Sequence, residues 1–430
     1  MDDRLNIFSK GFAELGREKN RLRLVFATTC IALAAIPLIP QFFGSGKTMD
    51  YPLWFWAGQQ VLTGGELYAV AGKDDFPFLY PPLAAILLAP FSMTGYTFSV
   101  VCLTLIACAS LGVCIYVSDR LAGEPGAKPN WVLMLPTVLS IAFVVDNFNL
   151  GQPHLLLTAI ILCGFLFLLS RHHVLAGFMF ALAVSLKFFP VAILPYLVWR
   201  RHWLASSIMV LATFVLLVLV PAPMRGFERN VQNLKTWAIG MGFSDSTDGF
   251  GQRAEQNWSW KNASLIAVVH RFARPLNVHA VDPGAKPYFV NVSELTFRQA
   301  NYVFALFVFL IGLGFICVLP QHHRRSAKSD ADELAILMCL ITIASPLART
   351  YYFVSMIFPI TVLVYRGALA DSSVVKSWTL ALVAISMGLY AVGAVTVWSN
   401  LPQALGNNLW ATFVITGALA FHLRRDRLKL

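Results

Sequence analysis

Long apolar runs recur along almost the whole chain, and they constrain its fold more than any motif does. Runs at about 24–41, 97–118, 204–221, 299–319 and 377–398 each approach the roughly 20 apolar residues that a helix needs to cross a bilayer. Further runs fall near 131–147, 155–170, 174–186, 189–199, 332–345, 351–365 and 408–423. A backbone in hydrocarbon must satisfy its own hydrogen bonds, so such runs fold as helices. The expected fold class is all-α and integral to a membrane, a polytopic bundle of about twelve transmembrane helices. Only 13% of the 430 residues are charged, where a soluble chain carries about a quarter, which excludes an ordinary soluble domain.

The charge that remains is placed informatively. The net charge is +11, yet the basic residues lie in short gaps between apolar runs, as cytoplasmic loops and contacts with anionic lipid heads require. No basic domain or aromatic RNA-binding signature accompanies them, so nucleic acid is not an expected partner. Arg4, Lys10, Arg17, Lys19, Arg21 and Arg23 hold residues 1–23 in the cytoplasm, with Phe8, Phe12 and Leu15 at surface-helix spacing. This segment lacks the form of a cleavable signal, so the run from Leu24 to Pro40 is expected to remain as an anchor. The tail, 424–430, is basic and expected on the same side. All seven cysteines lie inside apolar runs and none is in a CxxC pair, so they read as small packing residues rather than as disulfides or zinc ligands.

Counting crossings from a cytoplasmic N-terminus sends a particular set of polar segments to the outer face. These are the stretch Gly44–Pro82, the turn from Asn149 to His154, Lys187, the long region 222–298, and Arg349. The two long outer loops are expected at about 42–96 and 222–298. No internal repeat is evident, which weighs against an inverted-repeat transporter.

Chemistry on that face has no ATP to draw on, and the chain has no P-loop, GxGxxG or HExxH pattern. A donor already activated in the membrane, such as a lipid-phosphate sugar, fits these conditions. Transfer from it needs a carboxylate to take the acceptor's proton and cations to offset the departing phosphate. Asp50 is the candidate base, following the first apolar run and beside Tyr51, Trp54, Phe55 and Trp56. Asp74 and Asp75, among Gly72 and Lys73, have the composition of a solvated turn. Lys187 sits where Pro190 breaks two short apolar runs, and Arg349 follows Ser345-Pro346 at a span end with Tyr351 and Tyr352 behind it. Their guanidinium and ammonium groups are the phosphate-binding candidates. Tyr80, Gln152 and His154, with Arg253, Lys261 and Asn262 in a polar and tryptophan-rich cluster, are the candidates for sugar and lipid-head contacts. A single convincing acid argues against a tight metal site, so no metal and no other cofactor is expected.

These segments carry a resemblance. Asp50, Trp54–Gly58, Leu62-Thr-Gly-Gly65, Leu67-Tyr68 and Phe78-Leu-Tyr80-Pro81-Pro82 together resemble the first loop of glycosyltransferase family 87. Leu150-Gly-Gln152, Ala176-Gly177, Lys187-Phe-Phe-Pro190, Asn262-Ala-Ser-Leu265 with Arg271, and Ser345-Pro346 resemble later blocks of the family in the same order. The resemblance implies a GT-C-type transmembrane domain over 24–423 in a bacterial cytoplasmic membrane, with its active site facing the periplasm. It implies a polyprenyl-phosphate-mannose donor, a lipid or glycan acceptor, inversion at the anomeric carbon, and Asp50 as the general base. One departure stands out. Where many relatives have Trp and paired His after Ser-Pro, this chain has Ala348-Arg349-Thr350-Tyr351-Tyr352, so Arg349 takes the place of a phosphate-contacting histidine.

Two other functions compete. A transporter or flippase of lipid-linked saccharide predicts ionisable residues in mid-span, and here they are scarce. A polysaccharide polymerase or ligase shares the lipid-phosphate chemistry but takes a diphosphate-linked oligosaccharide.

Overall fold

The computed structural model describes residues 18–44, 49–68, 78–124, 126, 128–241, 257–321, 325–393 and 400–429. Arg253, Asp74, Asp75 and the N-terminal Phe8–Leu15 segment lie outside these residues. Among the described residues every regular element is helical. The segment after α1 (Glu18–Phe43) contains α2 (Tyr51–Leu62) and α3 (Pro82–Ser92). There follow α4 (Tyr96–Leu121), α5 (Asn130–Leu139), α6 (Ile141–Leu150), α7 (His154–Leu169) and α8 (His173–Leu186). A 3-10 turn (Phe189–Ala192) leads into α9 (Ile193–Trp199), and α10 (Trp203–Phe214) runs on through a π-turn at Val215–Leu219. The long region holds α11 (Ala222–Arg225), α12 (Phe227–Met241) and α13 (Leu265–Ala273). The remainder is α14 (Phe297–Val318), α15 (Ala327–Ala344), a 3-10 segment (Thr350–Met356) continuing as α16 (Ile357–Ala368), α17 (Ser373–Val392), α18 (Leu401–Ala404) and α19 (Asn407–Lys429).

Six of these helices are long and apolar enough to cross a membrane, seven if the bent pair α5–α6 is one span. The sequence pattern gives about twelve runs, and the difference has physical causes. Helices α7 and α8, with 16 and 14 residues, fall short of a full crossing. Pro136 lies in α5, and the chain turns by 50° between α5 and α6. Helix α15 begins with Asp330, Asp332 and Glu333, which lower its apolar length.

The span 350–368 is the axis of the bundle. Phe353, Phe358, Val362 and Leu363 are all fully buried, and 94% of its apolar window is enclosed. By contrast none of the α14 window is buried. A helix apolar on every side and packed on few neighbours is stable in lipid and not in water.

Charge at one end of this axis is paired. Arg200, at the C-cap of α9, binds Glu333 and also donates to the Pro320 carbonyl at 2.9 Å. Arg366, in the last turn of α16, pairs with Asp332 at 3.0 Å and with Glu124 at 2.6 Å. The opposite end of α15 and α16 is joined by Ser345–Arg349, and it carries the site.

Candidate active site

Asp50 is the N-cap of α2 but makes no capping bond through its side chain. The residue at the second helical position is Pro52, which lacks the N–H that an N-cap acid ordinarily accepts. Its carboxylate instead accepts a hydrogen bond from Gln152 Nε2. The backbone around both residues is stitched together. The Asp50 N–H donates to the Leu150 carbonyl at 3.2 Å, and Trp54 Nε1 donates to the Gly151 carbonyl at 2.7 Å. Gly151 has φ +71°, and a Cβ there would meet the Tyr51 ring. Each residue of Leu150-Gly-Gln152 therefore has a task in seating Asp50, and glycine is needed for the close approach.

The bond to Asp50 is the last of three that point the same way. Lys187 Nζ donates to the Tyr80 hydroxyl at 3.4 Å, and that hydroxyl donates to Gln152 Oε1 at 2.9 Å. With its oxygen so engaged, the Gln152 amide turns its NH2 toward the carboxylate. Lys187 caps the C-terminus of α8 in extended conformation, and its ammonium lies 4.9 Å from the Tyr80 ring centre, 5.7 Å from Tyr351 and 4.0 Å from Tyr352. Three ring faces stabilise a cation without neutralising it.

Asp50, Tyr80, Gln152, Lys187, Arg349, Tyr351 and Tyr352 line one cavity of about 620 Å³. That is within the size range of small-molecule sites. Burial pushes the Asp50 carboxyl upward from its ordinary value, while the Arg349 guanidinium, the Gln152 bond and Lys187 draw it back. Asp50 also stands at the N-terminus of α2, where a negative charge is favoured. Arg349 makes no direct ion pair among the described residues, and it lines the same cavity as Asp50. No three His, Cys, Asp or Glu side chains gather to hold a metal among the described residues.

Arg349 is held by the segment that includes Asn262. The Asn262 amide donates to the carbonyls of Asn257 at 2.8 Å and Pro346 at 2.9 Å. Its oxygen accepts from the N–H groups of Ser264 at 3.1 Å and Ala348 at 3.0 Å. Asn262 lines the cavity, but its side chain is fully engaged in tying residues 257–264 to the Ser345–Arg349 link. Arg271, fully buried, locks the same turn by donating to the carbonyls of Ser259 at 2.8 Å and Asn262 at 2.7 Å. Lys261 is turned to other partners, pairing with Asp282 at 3.3 Å over the Trp260 ring.

Two contributors have no role in the sequence pattern. Asp146, on α6, has the Tyr351 backbone amide and the Arg349 guanidinium as neighbours. An acid inside an otherwise apolar run was its available signal. Trp237, Ala238 and Met241 of α12 line the cavity, and Trp237 Nε1 donates to the Leu79 carbonyl at 3.2 Å. The polar face of α12 made this stretch read as part of a long loop.

Residues 78–346 match the family model of glycosyltransferase family 87. Two curated relatives are polyprenol-phosphate-mannose-dependent alpha-(1-2)-phosphatidylinositol mannoside mannosyltransferases. The Mycobacterium tuberculosis protein is 27% identical over 176 residues, 38% of this chain and 40% of the relative. The Mycolicibacterium smegmatis protein is 27% identical over 157 residues, 34% of this chain and 35% of the relative. The chain thus spans about two fifths or less of the length of the relatives it matches. Tyr80, Gln152, Lys187 and Asn262 fall inside the family match, while Asp50 precedes it and Arg349 follows it by three residues. The match takes in well over half of the 430 residues, and the chain belongs to glycosyltransferase family 87.

Proposed function

We propose that the chain is an inverting membrane glycosyltransferase of the GT-C type that moves a hexose, mannose, from a polyprenyl monophosphate to a lipid or glycan acceptor. The acceptor hydroxyl oxygen attacks the anomeric carbon in line, and Asp50 takes its proton. The carbon–oxygen bond to phosphate breaks, and its electron pair leaves on the phosphate, held by Lys187 and Arg349. A β-linked donor then gives an α-linked product. The observation that carries this reading is one cavity lined by a carboxylate seated by an amide and by two cations that, among the described residues, make no ion pair with a carboxylate. The curated relatives' use of polyprenol-phosphate-mannose supports the donor and their phosphatidylinositol mannoside the lipid acceptor.

The remaining expectations belong to the same proposal. About twelve crossings follow if α7, α8, α9, α15 and α19 are counted beside the longer spans and the bent pair. With Arg200 and Arg366 at the end of the bundle away from the cavity, the positive-inside rule puts the termini in the cytoplasm of a bacterial cell and the site at the periplasmic face. The cations that the chemistry needs come from side chains, so neither metal nor organic cofactor takes part. Purified protein given radiolabelled polyprenyl-phosphate-mannose and a membrane lipid extract should transfer label, and Asp50→Asn should lose at least 100-fold. Absence of transfer by the wild type, or equal transfer by the variant, refutes the reading.

A further inference from the structure

Beside the larger cavity lies a second one, of about 120 Å³, between α2, α3, α4, α6, α7 and α8. Trp54, Tyr80, Gln152 and Lys187 form part of both walls. The rest of its lining is mainly aliphatic, including Leu88, Leu103, Ile106 and Leu157. On the α3 side its wall includes Leu87, which is 44% exposed on the outside of the bundle.

Two polar side chains interrupt that apolar wall. Asn147 is 1% exposed and His154 is 2% exposed. Among the described residues neither Asn147 Nδ2, Asn147 Oδ1 nor His154 Nδ1 has a hydrogen-bond partner. Leaving such groups unpaired costs roughly 1–3 kcal/mol each, and native interiors rarely tolerate three together without something bound. They offer one donor, one acceptor and an imidazole nitrogen, and no acid lines the cavity.

That set selects among occupants. An isoprenoid chain brings no polar atom to meet it. The one cation on the lining, Lys187, lies on the wall shared with the larger cavity, and an anion in the slot would leave the Asn147 oxygen without a hydrogen. A hydroxyl satisfies both sides of the amide, accepting from Nδ2 and donating to Oδ1, with His154 as a second partner. The aliphatic wall toward α3 suits a hydrocarbon chain. At 120 Å³ the cavity is below the size that takes a whole ligand, so it receives one part of a larger molecule.

We infer that this slot binds a free hydroxyl at the head of an acyl-chain lipid, with the hydroxyl between Asn147 and His154 and the chain along α3 and α4. Because the slot adjoins Asp50 through Gln152, its occupant is the lipid acceptor, and the bound hydroxyl is one that does not react. Naming the occupant as acceptor rests on the transfer reading; the binding itself does not.

The test uses the full-length protein in detergent and equilibrium binding of 1,2-dioctanoylglycerol, with the same lipid acetylated on its hydroxyl as comparison. The free hydroxyl form should bind wild type about tenfold more tightly than the capped form. Asn147→Leu and His154→Phe should each bring binding of the free form down to the capped level. Equal binding of the free and capped lipids by wild type overturns the inference, because water then holds Asn147 and His154. That comparison needs no variant to fold. In the transfer assay Asn147→Leu should raise KM for the lipid acceptor and leave KM for the donor alone. If wild type transfers nothing but still distinguishes free from capped lipid, the transfer reading falls and the hydroxyl site stands. If wild type transfers and Asn147→Leu binds both lipids as wild type does, the site falls and the transfer reading stands.

Discussion

Gln152→Leu separates a residue that tunes the base from one that grips a sugar. Leucine fills nearly the same space but removes the donor to Asp50 and the acceptor for Tyr80. A hydrogen bond to a charged group contributes about 1.5–3 kcal/mol, and each 1.36 kcal/mol is tenfold. Losing it lowers the ionised fraction of Asp50 by roughly 10- to 100-fold at a pH where protonation competes. The sign follows from which form the bond favours. Nε2 donates to the carboxylate, so its removal favours the neutral acid, and a carboxyl already raised by burial moves further up. On the proposed mechanism an ionised Asp50 is the active form, so the acid limb of kcat/KM should move to higher pH while the alkaline plateau falls much less. The assay is label transfer from polyprenyl-phosphate-mannose across a pH series, with Tyr80→Phe expected to move the limb in the same direction by a smaller amount. A uniform loss at every pH with an unmoved limb refutes the reasoning, because it is what loss of a direct sugar contact would give.

The other predictions concern charge and the segments that hold it. Arg349→Lys should recover only a small part of the roughly 10- to 100-fold loss expected of Arg349→Ala, since an ammonium cannot grip phosphate with two parallel bonds, and a kcat/KM comparison with saturating acceptor reads this. Asn262→Ala removes the acceptor of the Ser264 and Ala348 N–H groups and one donor to each of the Asn257 and Pro346 carbonyls, which should cost ~3 kcal/mol and lower Tm in detergent. It should also reduce transfer by protein that remains folded, through displacement of Arg349. Glu333→Leu strands the buried Arg200 at the far end of the bundle, at a cost of about 3–5 kcal/mol, and should lower Tm while transfer per folded molecule is retained.

Fold class was legible because bilayer crossing imposes one pattern, a long apolar run, and the chain repeats it. The number of crossings was less so. A run of 14 residues such as α8 and a charged start such as Asp332-Glu333 are set by what packs around them, and hydropathy does not record packing. In the site, parity was enough to bring Asp50, Lys187 and Arg349 to one end of the bundle. It could not show that Gln152 would reach Asp50 rather than solvent, since that depends on Gly151 admitting the Tyr51 ring. Nor could it show that Asn262 spends all its polar atoms on backbone, because an asparagine in a clasp and one on a sugar look alike in sequence. Lys261 is the converse case, a cation in the right cluster whose nearest acid, Asp282, lies only in the folded chain.

The two ends of the 350–368 span treat charge differently, and the difference bears on what the Arg349 end is for. Arg349 and Arg366 are separated by 17 residues, about 25 Å along a helix. At the Arg366 end, Asp332, Glu124 and Glu333 are each matched to a cation, as burial demands, since an unpaired charge there would cost several kcal/mol. Around Arg349 the chain had acids to hand, Asp50 and Asp146, yet it gives Asp50 to an amide, surrounds Lys187 with neutral rings and leaves Arg349 in a cavity. Packing alone would favour closing these pairs. Keeping a carboxylate and two cations apart costs stability in the empty protein, and on the proposed reading a phosphate bound by the cations would recover it. On the same reading the separation would leave Asp50 unneutralised and able to accept a proton once the phosphate is in place.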